Sequence, residues 1–275
     1  MKKKKAIISA FLAVVLSACA VGCSMTNENV VENTISLESV DQLSANLSSI
    51  NLSIELGEKN SIHYRVYESL EPTVSEKNGT LNIKSKKGKK SGFFSSSNDN
   101  YIEITLNKKQ LDDIDISLSS GNVELKDLNV SGKIKTSSGN IKINNVEKGN
   151  ELFIEASSGN ININKCSINK LENKSSSGNI ELNEIKANNI IIDTSSGNAS
   201  ISDTDICDIN AESGSGNIVL DLNGKEIECN CDLSVSSGKI KVDGNSYKDK
   251  YTQNNNAKNT IKCRTSSGNI KVRFD

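Results

Sequence analysis

The sequence predicts an all-β protein: a single β-solenoid, β-helix-like or β-roll-like, of about 19-residue rungs with an N-terminal β cap. Three observations lead there. Ser-Ser-Gly-Asn or a near copy recurs with its glycine at 121, 139, 159, 178, 197, 216, 238 and 268, at intervals of 18, 20, 19, 19, 19, 22 and 30 residues. The segments flanking those glycines alternate apolar and polar residues and are rich in isoleucine, which is strand periodicity. Hydrophobic content is only 35%, low for a globular domain, yet the apolar residues are placed in register rather than scattered.

The chain begins with Lys2 to Lys5 and an apolar run from Ala6 to Leu16. A charged start followed by a short apolar stretch reads as a secretory signal peptide and is too short for a comfortable membrane span. The run ends in Leu16-Ser17-Ala18-Cys19, which resembles a bacterial lipobox, so Cys19 is the expected site of lipidation. Cys23, after Ala20-Val21-Gly22, is the alternative. Residues 1–18 are thus assigned to the signal peptide and 19–36 to the lipid anchor and a flexible tether. The expected location is the cell membrane, lipid-anchored on its extracytoplasmic face.

Residues 37–110 are assigned to the cap. Apolar alternation continues there at Ile50-Leu52-Ile54-Leu56, Ile62-Tyr64-Val66, Leu81-Ile83 and Ile102-Ile104-Leu106, but without the repeated turn. An end rung needs covering, and these strands are placed to do it.

Residues 111–275 are assigned to the solenoid, continuous with the cap. Two and four residues after each glycine stand pairs such as Ile141/Ile143, Ile161/Ile163 and Ile218/Leu220. Seven and five residues before it stand pairs such as Ile114/Ile116, Leu152/Ile154 and Ile190/Ile192. A third apolar slot follows the glycine by seven: Leu128, Val146, Cys166, Ile185. Each unit reads as strand, turn, strand, turn, too small to bury its apolar face alone, so units must stack. The turn glycines Gly121, Gly139, Gly159, Gly178, Gly197, Gly216, Gly238 and Gly268 are expected to supply positive φ, and the adjacent asparagines to tolerate left-handed geometry. Stacking puts Asn122, Asn140, Asn160, Asn179, Asn198 and Asn217 in one column, where side-chain amides would bond from rung to rung. Lys239 is expected to interrupt the column and Asn269 to resume it in the last rung. An antiparallel meander or sandwich could use the same turns, but would not require a fixed 19-residue spacing.

These features resemble the bacterial "putative adhesin" or toastrack β-strand-repeat family. Extended N-terminal strands, the Gly79-Thr80-Leu81-Asn82-Ile83 element and the repeated S-S-G-[DN]-[IV]-x-[IVL] units carry the resemblance from about Ile35 to Asp275. The family commonly has Asp beside the glycine where this chain has Asn, and often a Pro near Leu106-Asn107 that is absent here. The resemblance implies a surface-exposed, cell-envelope interaction scaffold; some members are linked to membrane-stress signalling.

Composition narrows the chemistry. Lys and Arg total 33 against 34 Asp and Glu, a net charge of −1 that gives no general attraction to nucleic acid or anionic membrane. With no Trp and 4% aromatics, base-stacking platforms are poorly supplied. His63 is the only histidine and sits in a strand of the cap, so no Ser-His-Asp set is built around it. The Ser-Ser pairs repeat because they make turns. A calcium β-roll would place carboxylates in those turns, where this chain has Ser and neutral Asn. No catalytic residue, metal or cofactor is therefore assigned.

Cys166, Cys231 and Cys263 occupy slots that hold Ile or Leu in other rungs. Cys207 and Cys229 each lie nine residues before consecutive turn glycines, which would place them side by side on adjacent rungs as a candidate disulfide. The segment Lys84, Lys86, Lys87, Lys89, Lys90, Phe93 and Phe94 is the candidate surface contact, with lysines for anionic headgroups or wall polymer and phenylalanines for an interface. A polar excursion from Asn245 to Asn259 accounts for the 30-residue interval.

The expected function is a non-catalytic, lipid-anchored binding or scaffold protein of the cell surface, connected with envelope-stress sensing. Its partners would be the membrane through the anchor, and an anionic lipid, wall polymer or envelope protein. Alternatives are a structural adhesin for a host, matrix or wall polymer, and a carbohydrate-active β-helix enzyme.

Overall fold

The computed structural model describes residues 29–86 and 100–275. Two β-sheets face each other across one hydrophobic core, and each rung contributes a strand to each. The first sheet runs β5 (Pro72–Lys77), β6 (Thr80–Ser85), β2 (Gln42–Leu47), β8 (Gln110–Leu118) and β10 (Asn129–Thr136). It continues through the second halves of β11 (Ile141–Ala156) and β12 (Ile161–Ser175), then β14 (Asn189–Thr194) and β16 (Asp208–Ser213). It ends with β22 (Asn259–Ser267), β18 (Cys229–Ser237) and β21 (Lys250–Gln253).

The second sheet begins with β1 (Val30–Ser36), β4 (Ser61–Tyr67), β7 (Tyr101–Leu106), β3 (Asn51–Leu56) and β9 (Val123–Lys126). The first halves of β11 and β12 follow, then β13 (Ile180–Lys186), β15 (Ala199–Asp205) and β17 (Ile218–Asn223). β23 (Ile270–Phe274), β19 (Ile240–Val242) and β20 (Asn245–Tyr247) close it. All pairings are parallel except those of the outermost strands β1, β4, β5, β20 and β21. A parallel stack is what a fixed repeat requires, since every rung must cross the sheet in the same direction.

Like residues stack on like. Val123, Ile141, Ile161, Ile180, Ala199, Ile218 and Ile270 form one buried column of the second sheet. Ile116, Ile134, Ile154, Asn173, Ile192 and Ala211 form one column of the first. Each fully buried Ile or Leu contributes about 1.5–3 kcal/mol, so one rung is marginal and the stack is not.

The turn edge differs from expectation in its physics. None of Gly121, Gly139, Gly159, Gly178, Gly197, Gly216 and Gly268 has positive φ, nor do the adjacent asparagines; of the turn glycines only Gly238 does, at 149°. Glycine is needed because the turns stack too closely for a side chain. A Cβ on Gly159 would lie 1.7 Å from the carbonyl oxygen of Gly139, and one on Gly178 would lie 1.9 Å from that of Gly159. The asparagine column is present, but its main bond is not amide to amide. Each side-chain oxygen accepts the backbone N–H of the next rung's asparagine, as from Asn160 to Asn140, Asn179 to Asn160 and Asn217 to Asn198, all at 2.9 Å. The side chain thus satisfies a turn N–H that strand pairing leaves over. A buried hydroxyl three residues before the glycine completes the turn: Thr136, Ser175 and Thr194 accept the N–H of Gly139, Gly178 and Gly197 at 2.8–3.0 Å.

Both ends depart from sequential stacking. At the start, β2/β3 and β6/β7 are parallel rungs of the stack itself, so among the described residues the covering strands are β1, β4 and β5. Val30–Ser36, assigned to the tether, is strand β1, held antiparallel to β4 with Val31 and Ile35 half-buried against the core. At the other end the last rung of the sequence is not the last in space. β22/β23 inserts between β16/β17 and β18/β19, and the excursion that precedes it forms the covering strands β20 and β21, one antiparallel to β19 and the other to β18. Asn269 therefore follows Asn217 directly, its N–H 2.9 Å from the Asn217 oxygen, and Lys239 ends the column rather than interrupting it.

Candidate functional site

Six residues after the turn glycine the chain rounds a second corner. Asp127, Asn145, Lys165, Glu184 and Asp203 take left-handed backbone there, with φ of 60°, 58°, 55°, 52° and 48°. The bend drives the following residue into the core: Leu128, Val146, Cys166, Ile185 and Thr204 are all buried. Corner side chains from successive rungs consequently line up in solvent. Between them runs an open groove of about 790 Å³, lined by Glu147, Lys165, Glu184, Lys186, Asp203 and Asp205, with Val146, Cys166 and Ile185 behind.

The groove carries four carboxylates and two ammonium groups. Lys165 and Glu184 are 3.8 Å apart, and the Asn223 amide donates to Asp205 at 3.4 Å. Beside the groove a second ladder climbs the sheet face, with Asn183 donating to Asn164 and Ser202 to Asn183, both at 2.8 Å. Burial pushes the Cys166 thiol up to about 11, and its sulfur donates to the Asn164 carbonyl at 3.3 Å, so it stays protonated at neutral pH. The arrangement offers hydrogen-bond acceptors and charge repeating at the strand spacing of about 4.7–4.9 Å. One signal of this column is legible in the sequence: six residues after the first five turn glycines stand Asp127, Asn145, Lys165, Glu184 and Asp203, none of them β-branched.

The expected contact residues fall apart in part. Lys84 stands on β6, and Lys86 just beyond it pairs with Glu71 at 3.1 Å. Lys87, Lys89, Lys90, Phe93 and Phe94 lie outside the described residues, as do Cys19 and Cys23. His63 joins the covering strands, 2.9 Å from Thr34 and 3.4 Å from Tyr101. On the outer face of the first sheet Phe153 lies beneath Lys133, Lys135 and Lys174, whose ammonium groups are 5.8, 5.0 and 5.4 Å from its ring.

The Cys207–Cys229 disulfide is not formed; both are free, buried thiols. The inserted rung is the reason. Ile209 pairs with Ile261 and Cys229 with Asn259, so β22 separates the two cysteines by two strand spacings, about 9.5 Å, beyond disulfide reach. Cys229 instead approaches Cys231, with sulfurs 3.8 Å apart.

The family described as Toastrack DUF4097 matches residues 40–273. No curated protein matches the chain. Among solved structures, a putative adhesin from Bacteroides fragilis NCTC 9343 is 16% identical with a TM-score of 0.56, over 89% of this chain and 97% of that one. A putative adhesin from Parabacteroides merdae ATCC 43184 is 16% identical with a TM-score of 0.52, over 90% and 97%. At these identities the likeness is one of fold.

Proposed function

This chain belongs to the Toastrack DUF4097 family, and from that premise we propose that it is a non-catalytic binding rod of the cell envelope, held by a lipid on Cys19. One observation carries the reading: the second-corner groove presents Lys165, Glu184 and Asp203 from consecutive rungs in a straight row, open along its length. A site for a small reacting molecule gathers different groups around one point. A row with a repeat suits an extended polymer whose own groups recur. The excess of carboxylates favours a wall or matrix polymer bearing hydroxyl or ammonium groups. The adhesin names of the neighbouring structures agree with such a role.

The test uses the full chain in its native envelope. Radiolabelled fatty acid should mark the wild type and the Cys23→Ser variant, and not Cys19→Ser. The purified protein should co-sediment with insoluble wall polymer, and Glu184→Gln combined with Asp203→Asn should weaken this at least tenfold. Absence of sedimentation with wall or matrix polymer would overturn the binding role, whatever the anchor.

A further inference from the structure

The C-terminal end of the stack holds chemistry that a binding rod does not require. Cys229 and Cys231 lie two residues apart on β18, so both side chains point into the core. Their sulfurs are 3.8 Å apart. Beside them pack β21 and the segment that follows it. Tyr251 on β21 hydrogen-bonds Glu226 and Gln253, and its ring packs 4.4 Å from that of Tyr247. Asn255 donates to the carbonyls of Glu226 at 3.0 Å and of Cys229 at 2.8 Å. The pair therefore sits on the last parallel rung of the stack, beside the antiparallel strand β21.

We propose that Cys229 and Cys231 are a redox-responsive dithiol, closing to an intrachain disulfide by exchange with an external disulfide. One thiolate attacks the external disulfide, forming a mixed disulfide and releasing one thiol. The second thiolate attacks the protein sulfur of that mixed disulfide, forming the Cys229–Cys231 bond and releasing the other thiol. Two electrons end on the external reagent, and the two protons lost by the cysteines pass to the released thiolates.

Closure requires the strand end to shift, since a disulfide needs Cβ atoms about 3.5–4.5 Å apart. A two-residue step along a strand spans about 6.6 Å, at the upper end of the Cα separation a disulfide accepts, about 4.4–6.8 Å. Cys229 is the first residue of β18 and follows the short 3-10 turn Glu226–Glu228, so a shift of this end disturbs only the terminal pairing with Asn259 and the bond from Asn255. The contact between the two sulfurs, in which either can donate, lowers the Cys229 thiol and raises that of Cys231. Cys229, at the end of β18, is assigned as the attacking sulfur. Burial pushes Cys207 up to about 12, and Cys263, fully buried, is also raised. Among the described residues no third His, Cys, Asp or Glu joins the pair in a group able to hold a metal.

Trypsin cuts after Lys225 and Lys239, so both cysteines share the peptide Glu226–Lys239 and no other cysteine is in it. The folded full-length protein is exposed to oxidised glutathione, quenched with acid, alkylated and digested. In the wild type that peptide should appear two hydrogen masses lighter and without alkyl groups, and dithiothreitol should restore both. Cys231→Ser should stop at a glutathione adduct on Cys229, while Cys263→Ser should behave as wild type, with circular dichroism confirming folding. Recovery of the peptide doubly alkylated, or a link from Cys229 to any other cysteine, would overturn the assignment.

Discussion

Asn173 is fully buried between Ile154 and Ile192 of the adjoining rungs, and neither its amide nitrogen nor its oxygen has a hydrogen-bond partner. An unsatisfied buried amide costs about 1–3 kcal/mol. Asn173→Leu should therefore raise the unfolding free energy by about that amount, read from the denaturant midpoint. A lower midpoint would mean that the amide is satisfied after all. The turn glycines lie at the opposite extreme. Gly178→Ala brings a methyl group within 1.9 Å of the Gly159 carbonyl oxygen, so the stacked turns must part. The expected loss is at least about 3 kcal/mol, against a few tenths if the glycine served only backbone freedom. Comparison with Gly244→Ala, where φ is +83° and nothing lies within 4 Å, separates crowding from backbone strain.

The inserted rung β22/β23 is held by charge as well as by apolar stacking. Arg273 pairs with Asp221 on β17, Arg264 reaches Asp232 on β18 at 3.5 Å, and Asp208 accepts the Thr260 N–H at 2.8 Å. Arg264 and Arg273 thus each face an acid on a neighbouring strand, while Lys271 lies opposite Lys241 without such a partner across that pairing. The consequence differs from that of an ordinary solenoid, where trimming the last repeat shortens the rod. Removal of residues 259–275 should detach β18 through β21 as a unit. Hydrogen exchange is expected to lose protection across 229–253 while 141–213 keeps it. Retained protection at 229–253 would show that β18 can dock directly on β16.

Among the described residues, ten parallel rungs span about 45 Å at the strand spacing, from β6/β7 to β18/β19. The rod's two ends are closed by reversed strands, β1, β4 and β5 at one and β20 and β21 at the other, which blunts the edges that a parallel stack would otherwise offer to other chains.

Much of this was legible because a repeat announces itself. The 19-residue spacing, the apolar pairs around Gly139, Gly159 and Gly178, and the asparagine column all follow from local periodicity, and the stack realises them. Periodicity states which residues are equivalent; it does not state who neighbours whom at the ends. The order β16–β22–β18, the loss of the Cys207–Cys229 pairing, the approach of Cys229 to Cys231 and the reason for the turn glycines depend on contacts between residues far apart in the chain. Those were decided by burial and charge among rungs already formed, which no single repeat contains.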